Sequence, residues 1–310
     1  MTIKEIGKTV VGHTASNPLA WPVYRACGRV SGYLARVYGH AHYTLELGER
    51  DERMRKLAAE LFPDLTVAGG PFQGMRYPSA QPFGSALLPK LLGSYESELH
   101  PFLNELLVKK YTSIVDIGCG EGYYAVGLAL RFPNTPVYAF DTNPHARRLC
   151  SEMVDLNGVS ATVQIGDLCD QAALNALPLG DKALIVCDCE GYERVLFTPE
   201  IAAHLAKHDL IVEAHDFIDI DISQKLRRAL ATTHHVRSVK SLDDIEKVHT
   251  YIYRKLEPYD SNTRKLIVGE RRPAIMEWFI MTAREQAGTF SQPHQATSGS
   301  PTGSAFTGSC

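Results

Sequence analysis

The chain has 310 residues, of which 45% are hydrophobic and 22% charged, and its formal net charge is -3. These values are those of an ordinary globular protein, and the near balance of charge gives no reason to expect nucleic acid or an anionic membrane as a partner. No apolar run approaches the roughly 18 residues of a spanning helix, and the N-terminal stretch lacks the order of a signal peptide. The sequence therefore predicts a cytoplasmic protein, and a homodimer is compatible with it.

The seven cysteines are odd in number and lack the paired spacing of a metal site. Most of them lie within apolar segments, where a reduced and buried thiol is the expected state. We therefore expect no disulfide framework. Cys187 and Cys189 flank an acidic residue, and the sequence suggests no function for these two thiols.

Short β-branched runs alternate with helical stretches between about residues 111 and 235. Continuous apolar runs, typical of strands buried on both faces, predict strands at residues 112–117, 136–141, 161–165, 183–188 and 209–214. Helices are predicted at residues 123–131, 144–157, 171–177, 199–207 and 222–231. This alternation predicts right-handed βαβ units and an α/β fold with a doubly wound, mostly parallel, Rossmann-like sheet.

The N-terminal region, residues 1–110, departs from this pattern and is predicted to form a helical cap over one end of the sheet. One helix is expected at residues 49–62, where apolar positions share one face. A second is expected at residues 95–110, and the Pro-, Gly- and aromatic-rich stretch between them, residues 69–89, is expected to form turns.

The C-terminal region completes the sheet and then loses its apolar residues. Residues 235–240 and 274–281 predict a sixth strand and a closing seventh strand, with an inserted helix at residues 243–256. The main domain is therefore expected to cover residues 111–288. Residues 289–310 are predicted to be a disordered tail, because the last twenty residues hold thirteen Ser, Thr, Gly or Pro and no charged side chain.

A glycine-rich segment, VDIGCGEG at residues 115–122, lies where the first predicted strand meets the first helix. Its glycines permit a tight turn and close approach of a ligand to the backbone. The GxGxG spacing differs from the GxGxxG of nicotinamide-binding folds, which disfavours a dehydrogenase. Asp141 ends the second strand and can accept hydrogen bonds from both ribose hydroxyls of a nucleoside. Asp167 and Leu168, after the third strand, can lie beside an adenine ring.

Four segments, VDIGCGEGYYA, AFDTNP, IGDL and VCDCEGYE, resemble in this order the motifs of class I S-adenosylmethionine-dependent methyltransferases. The resemblance covers roughly residues 90–280. More narrowly, LIVCDCEGYERVL at residues 184–196 and GSYE at residues 93–96 are similar to segments of FkbM-like methyltransferases. Members of that family methylate oxygen atoms on sugars, macrolides and other secondary metabolites. The resemblance therefore implies an O-methyltransferase with a small-molecule hydroxyl acceptor and S-adenosylmethionine as cofactor.

The resemblance also implies which residues bind the cofactor. These are Asp116, Gly118 and Gly120 around its methionine part, Asp141 at the ribose, Asp167 and Leu168 at the adenine, Asp188 at the sulfonium, Glu96 at the amino group, and Tyr123 and Thr142 beside them. An aromatic face attracts a sulfonium cation, which suits Tyr123 or the neighbouring Tyr124. Simple packing against the sheet is an equal alternative for one of these two rings.

His215 is the first candidate for a general base. It follows Glu213 at the end of the fifth predicted strand, the edge at which open α/β sheets bind ligands. Asp188 and Glu190 are the next candidates, and a neutral histidine would give a rate that rises near pH 6 to 7 unless the site shifts its pKa. We assign no metal ligands, although a divalent ion shared by Asp188, Glu190, Glu213 and His215 is an open alternative.

Three other polar residues receive a structural interpretation. Glu193 is expected on the surface of a helix. His204 and His208 are four residues apart on a predicted helix, but the glutamate of a zinc-protease motif is missing and both are expected to face solvent.

The most economical interpretation is a methyltransferase that positions a small-molecule hydroxyl in line with the activated methyl group. Two alternatives stay open. One is a catalytically silent scaffold that binds S-adenosylmethionine. The other is a methyltransferase acting on nitrogen or on a macromolecule, disfavoured because DCEG follows the fourth strand where amino-methylating enzymes of nucleic acids carry Asn/Asp-Pro-Pro-Tyr/Phe.

Overall fold

The computed structural model describes residues 21–80 and 86–284. The strands within them are β1 (Ser113–Ile117), β2 (Val137–Phe140), β3 (Val163–Gly166), β4 (Ala183–Cys187), β5 (Asp209–Ala214), β6 (His234–Lys240) and β7 (Glu277–Ala283). They form one sheet in the order β3-β2-β1-β4-β5-β7-β6. Strands β1 to β5 pair in parallel, whereas β7 is antiparallel to both β5 and β6. The predicted doubly wound, seven-stranded, Rossmann-like sheet is confirmed.

Helices cover both faces of this sheet. The α-helices of the described residues are α1 (Trp21–Leu61), α2 (Leu87–Leu92), α3 (His100–Leu107), α4 (Tyr123–Arg131), α5 (Pro144–Leu156), α6 (Gln171–Ala176), α7 (Glu193–Leu196), α8 (Pro199–His204), α9 (Ile222–Leu230), α10 (Asp244–Thr250) and α11 (Ser261–Val268). Helix α5 begins as its sequence predicts, because Pro144 fills the first turn and the Asn143 side chain accepts a hydrogen bond from the His145 N–H at 2.9 Å.

The order of the strands fixes where a ligand can bind. Every residue of β1, β4 and β5 is buried, as expected for central strands covered on both faces. From β1 the chain runs outward to β2 and β3, and from β4 it runs outward in the other direction to β5. The crevice of such a sheet opens at this switch point, beyond the carboxyl ends of β1 and β4.

The N-terminal helices share the core of the sheet. Leu57 of α1 and Leu91 of α2 belong to one continuous buried cluster with Ile114 of β1 and Leu128 of α4. The part of the predicted cap that is described therefore packs against one face of the sheet. The rest of the cap, residues 1–20 and 81–85, and the predicted tail at residues 289–310 lie outside the described residues.

Several predicted boundaries are wrong in the regions that flank the sheet. The helix expected at residues 49–62 begins at Trp21, and the stretch expected to form turns includes the start of α2. The helix expected from residue 95 begins at His100, because Pro101 lies in its first turn and Glu96 has a φ of 51°. The inserted helix is divided into α10 and a 3-10 turn at Arg254–Leu256, since Tyr251 is extended.

Helix α1 is the longest described helix, at 41 residues. Its mean hydropathy is low because charged residues recur along it. Within residues 21–80 and 86–284, no helix combines the length and the apolar character needed to cross a membrane.

Candidate functional site

A cavity of about 640 Å³ opens at the carboxyl ends of β1 and β4. Eight of the ten residues predicted to bind the cofactor line it: Gly118, Gly120, Tyr123, Asp141, Thr142, Asp167, Leu168 and Asp188. The three catalytic candidates, Asp188, Glu190 and His215, line it as well. The structure thus brings together residues that are up to about a hundred positions apart in the sequence.

The glycine loop lies at the centre of the cavity wall. Gly118 has a φ of 85°, and a Cβ on it would lie 1.6 Å from the backbone oxygen of Asp188, so only glycine fits where β1 and β4 end side by side. A Cβ on Gly120 would meet no protein atom within 4 Å, so the space beside it is open. The Asp141 carboxylate accepts hydrogen bonds from the N–H groups of Gly120 at 2.9 Å and Asn143 at 2.8 Å.

The cavity has an apolar surface beside an acid at the end of β3. Leu168 exposes 48% of its surface although it is a large apolar residue. The Asp167 carboxylate accepts a hydrogen bond from the Leu168 N–H at 2.7 Å, which fixes the turn between them. This arrangement offers an apolar surface next to a hydrogen-bond acceptor, which suits a heteroaromatic ring.

Asp116 does not line the cavity, contrary to the role that the resemblance implies for it. The side chain is 2% exposed, and its Oδ2 has no hydrogen-bond partner among the described residues. Burial and the neighbouring charge of Asp188 raise the pKa of Asp116 to about 8. Asp116 is therefore buried behind the residues that line the cavity.

Glu96 is also placed behind the cavity wall. Its carboxylate accepts hydrogen bonds from Arg272 Nη2 at 2.5 Å and from the Tyr124 hydroxyl. Burial raises the pKa of Glu96 to about 7, against the opposing charge of Arg272. The same guanidinium also pairs with Glu213 and, at 2.8 Å, with Glu270. The structure therefore places Glu96 behind the residues that line the cavity, where it is paired with Arg272.

His215 lies at the centre of a cluster of carboxylates. Its Nδ1 is 2.7 Å from Glu193 Oε1, and its Nε2 is 3.3 Å from Asp188 Oδ1. The same Nε2 is 3.5 Å from Glu190 Oε2 and 3.8 Å from Glu213 Oε2. The expectation that Glu193 lies on a helix surface is wrong, because its side chain is fully buried against this imidazole.

The carboxylates change the protonation of His215. Burial lowers its pKa, but the contacts with Asp188 and Glu193 stabilise the imidazolium and raise the pKa to about 11. The range of pH 6 to 7 expected for an ordinary histidine does not apply here. Glu190, by contrast, exposes 79% of its side chain. Its φ of 53° is a strained conformation for a residue with a side chain, of the kind found at functional sites.

Sequence reasoning missed a buried cation in the cavity wall. Lys90 of α2 is 2% exposed and forms an ion pair with Glu121 of the glycine loop. Its Nζ lies 4.8 Å from the ring centroid of Tyr95 and 5.2 Å from that of Tyr123. Tyr123 is therefore part of an aromatic cluster that also lines the cavity. The segment LLPKLLG carries no ligand-binding signature, so no local signal identifies Lys90.

Arg272 was missed for a similar reason. It lies in the irregular segment before β7 and lines the cavity. Two of its carboxylate partners, Glu96 and Glu213, come from distant segments, and the third, Glu270, lies two residues before it. Only the tertiary structure brings them to one guanidinium, and no short motif could predict that.

Two further groups of residues from the sequence analysis remain: the histidines His204 and His208, and the thiols of Cys187 and Cys189. His204 is exposed, as expected, but His208 is only 1% exposed and its Nδ1 accepts a hydrogen bond from the Ala183 N–H at 2.9 Å. The Sγ atoms of Cys187 and Cys189 lie 3.4 Å apart as free thiols. Burial raises the pKa of the Cys187 thiol, so this residue is a poor nucleophile.

Comparisons with known proteins bear on this fold. Residues 99–177 match a family model described as "Methyltransferase small domain". This segment contains β1, β2 and β3 together with the glycine loop and Asp141. A search of curated proteins found no match.

Many solved structures are similar to the chain. The precorrin-6y C5,15-methyltransferase of Geobacter metallireducens is 13% identical, with 59% of this chain and 85% of that chain covered and a TM-score of 0.41. A precorrin 8w decarboxylase of Methanobacterium thermoautotrophicum is 20% identical, with 59% of this chain and 88% of that chain covered and a TM-score of 0.37. The geranyl diphosphate C-methyltransferase of Streptomyces coelicolor is 13% identical, with 64% and 83% covered and a TM-score of 0.41.

Proposed function

We propose that this protein is an S-adenosylmethionine-dependent methyltransferase that acts on a hydroxyl of a small metabolite. One observation carries the proposal. The Asp141 carboxylate is hydrogen-bonded to the Gly120 N–H at 2.9 Å, so the ends of β1 and β2 form one rigid, glycine-lined wall of a large cavity. The segment that matches the methyltransferase family model contains both residues.

The cavity fits S-adenosylmethionine in size and in the chemistry of its donors. Its volume of about 640 Å³ lies in the range of small-molecule sites. Each oxygen of the Asp141 carboxylate accepts one backbone hydrogen bond and keeps a lone pair for a ribose hydroxyl. Asp167 and Leu168 provide the acceptor and the apolar surface for the adenine, and the open space beside Gly120 is available to the methionine part.

The proposed catalytic end of the cavity lies beyond Asp188. S-adenosylmethionine supplies a methyl group that its sulfonium already activates. The chain needs to hold an acceptor oxygen in line with that methyl group and to take up its proton. We assign the positioning of the acceptor to Asp188 and protonated His215, and the uptake of the proton to Glu190, the most accessible carboxylate of this cluster.

The narrower assignment to hydroxyl acceptors and to FkbM-like enzymes rests on the segments at residues 93–96 and 184–196. In the structure, these segments supply Glu96, held by Arg272, and Asp188, Glu190 and Glu193 around His215. Three of these residues, Asp188, Glu190 and Glu193, surround His215, which supports the narrower assignment.

The test is methyl transfer by the purified protein. S-adenosylmethionine labelled in its methyl group is incubated with panels of sugars, phenols and macrolides that carry free hydroxyls, and with a matched panel of amines. We expect transfer to a hydroxyl, reduced by about 10²-fold or more in Glu190→Gln and unchanged in Glu152→Gln, which alters an exposed acid of α5. Transfer to amines alone would contradict the O-methyl assignment, and cofactor binding without any transfer would favour the silent scaffold.

A further inference from the structure

Three side chains from two neighbouring strand ends converge at the acceptor end of the cavity. Asp188 follows β4, and Glu213 and His215 lie at the end of β5. Each offers one ligand atom, and these atoms all lie within 4.8 Å of one another. Glu213 and His215 are two residues apart on an extended strand, so they share the side that faces Asp188.

The three ligand atoms surround one point, which we call the shared point. Neighbouring groups orient His215 and Glu213 so that each directs one of these atoms toward it. Glu193 binds Nδ1 of His215 at 2.7 Å and leaves Nε2 facing the cavity. Arg272 binds Oε1 of Glu213 and leaves Oε2 facing that Nε2 at 3.8 Å. A carboxylate on the far nitrogen of a histidine and a hydrogen-bond donor on the far oxygen of a carboxylate are the outer contacts that orient metal ligands.

The third side chain has an unsatisfied oxygen at the same point. Asp188 Oδ1 is buried and has no hydrogen-bond partner among the described residues. It forms an ion pair with His215 Nε2 at 3.3 Å, but the geometry is not that of a hydrogen bond. A buried polar atom without a hydrogen bond is costly, and a bound ion is one of the few ways to satisfy it.

The carboxylates around this point outnumber the cations. Within the described part of the chain, the ion pairs of Asp188, Glu190 and Glu193 all go to the single imidazole of His215. Arg272 neutralises Glu213, but it is shared with Glu96 and Glu270. More negative than positive charge therefore surrounds the shared point.

We propose that Asp188, Glu213 and His215 bind a divalent first-row metal ion. Two carboxylates and one imidazole form a mixed oxygen and nitrogen donor set that suits Mn²⁺ or Fe²⁺. Asp188 is 30% exposed on the cavity side, so the remaining coordination positions face the space of the acceptor. A metal ion there holds an acceptor oxygen and lowers the pKa of its hydroxyl. This catalytic consequence rests on the proposed function, whereas metal binding itself does not.

The experiment is a titration of the purified, cofactor-free protein with MnCl₂, in which electron paramagnetic resonance measures free Mn²⁺. We expect one Mn²⁺ per chain with a dissociation constant below about 1 mM. A pulsed measurement should detect an imidazole nitrogen coupled to the ion, and His215→Asn should abolish this coupling. His215→Asn and Asp188→Asn should each weaken binding by about 10-fold or more. Glu152→Gln, a control that alters an exposed acid of α5 away from the cavity lining, should bind Mn²⁺ like wild type.

Absence of saturable Mn²⁺ binding, or equal affinity in wild type and both ligand variants, overturns the site. Asp188→Asn leaves the Arg272–Glu213 pair intact, so it tests the site even if other variants unfold. A parallel titration with S-adenosylmethionine separates the two proposals. Cofactor binding without Mn²⁺ binding overturns the metal site alone, and Mn²⁺ binding without cofactor binding overturns the proposed function alone.

Discussion

Glu193 and His215 form a buried pair in which the carboxylate oxygen Oε1 lies 2.7 Å from the imidazole Nδ1. Glu193 begins α7, just after β4, and His215 follows β5. The same Oε1 accepts a hydrogen bond from the Cys189 N–H at 3.2 Å. One carboxylate therefore ties together the ends of two neighbouring strands and sets the direction in which Nε2 of His215 points.

Replacement of Glu193 by glutamine should disturb the orientation of the His215 imidazole without weakening cofactor binding. Glutamine keeps an oxygen that can accept from Nδ1–H, but it removes the charge that stabilises the imidazole orientation. We expect Glu193→Gln to lower turnover by about 10- to 100-fold, as outer-shell substitutions typically do, with little change in S-adenosylmethionine affinity. Steady-state kinetics and calorimetry measure the two quantities. Equal losses of turnover and of cofactor affinity, or no loss of either, would contradict the positioning role. Glu152→Gln is the matched control.

Asp141 should contribute strongly to cofactor affinity. Asp141→Ala removes the acceptor of the Gly120 N–H hydrogen bond and, in the proposed complex, the charge-assisted hydrogen bonds to two ribose hydroxyls. We expect a loss of about 2–4 kcal/mol in the binding free energy of S-adenosylmethionine. Calorimetric titration measures this loss. Asp155→Ala alters an exposed acid of α5 and serves as the control. Equal affinity of the Asp141 variant and wild type would refute the ribose assignment.

The sheet could be predicted closely from sequence because its signals are local. The apolar runs of β1, β4 and β5 and the helix α4 lie within one residue of their predicted bounds. The glycine loop and Asp141 were found because their chemistry requires a fixed spacing along the chain. The flanking region was harder, since α2 and α3 have short apolar patterns that do not distinguish a helix from a turn-rich segment.

The cluster of charged residues around His215 could be predicted only in part. His215 and Asp188 were identified because each ends a strand, and strand ends meet at one edge of the sheet. The partners Glu193 and Arg272 were not, because their roles depend on distant segments folding onto them. A charged residue on a short helix, as Glu193 is, is usually exposed, and only the buried imidazole makes this one different.

The buried Lys90–Glu121 pair should be important for stability. The side chains are 3% and 12% exposed, so removal of one partner leaves a charge buried without compensation. We expect Lys90→Met to lower the free energy of unfolding by about 3 kcal/mol or more. The double variant with Glu121→Gln should recover part of that loss. Urea denaturation measures both, and Arg55→Met, which breaks a half-exposed pair, should cost less than about 1 kcal/mol.

Additive losses in the Lys90 and Glu121 single and double variants would show that the two charges do not interact. A loss in Lys90→Met no larger than that in Arg55→Met would show that the pair is effectively solvated. Either result would contradict the buried ion pair.

His208 should make the protein less stable in mild acid. Burial, with the charge of Lys207 as a smaller cause, lowers the pKa of His208 to about 4 from the ordinary histidine value of 6.5. Between about pH 4 and pH 6.5, the unfolded chain therefore binds more protons at His208 than the folded chain does. The stabilisation from neutral His208 is complete above pH 6.5 and is lost as the pH falls through this range to about 4.

His208→Asn keeps an acceptor for the Ala183 N–H but does not titrate. We expect its free energy of unfolding to fall less steeply than that of wild type between pH 6.5 and 4. Asp209 and His234 titrate in both proteins, so the difference between the two curves isolates His208. Parallel curves for His208→Asn and wild type would contradict the buried, neutral histidine.

The central claim is that the cavity at the ends of β1 and β4 binds S-adenosylmethionine, and calorimetric titration of the purified protein tests it most directly. The structure predicts one saturable site per chain, competition by S-adenosylhomocysteine, and weaker binding in Asp141→Ala. A folded wild-type protein that shows no saturable binding up to about 1 mM S-adenosylmethionine would contradict the claim.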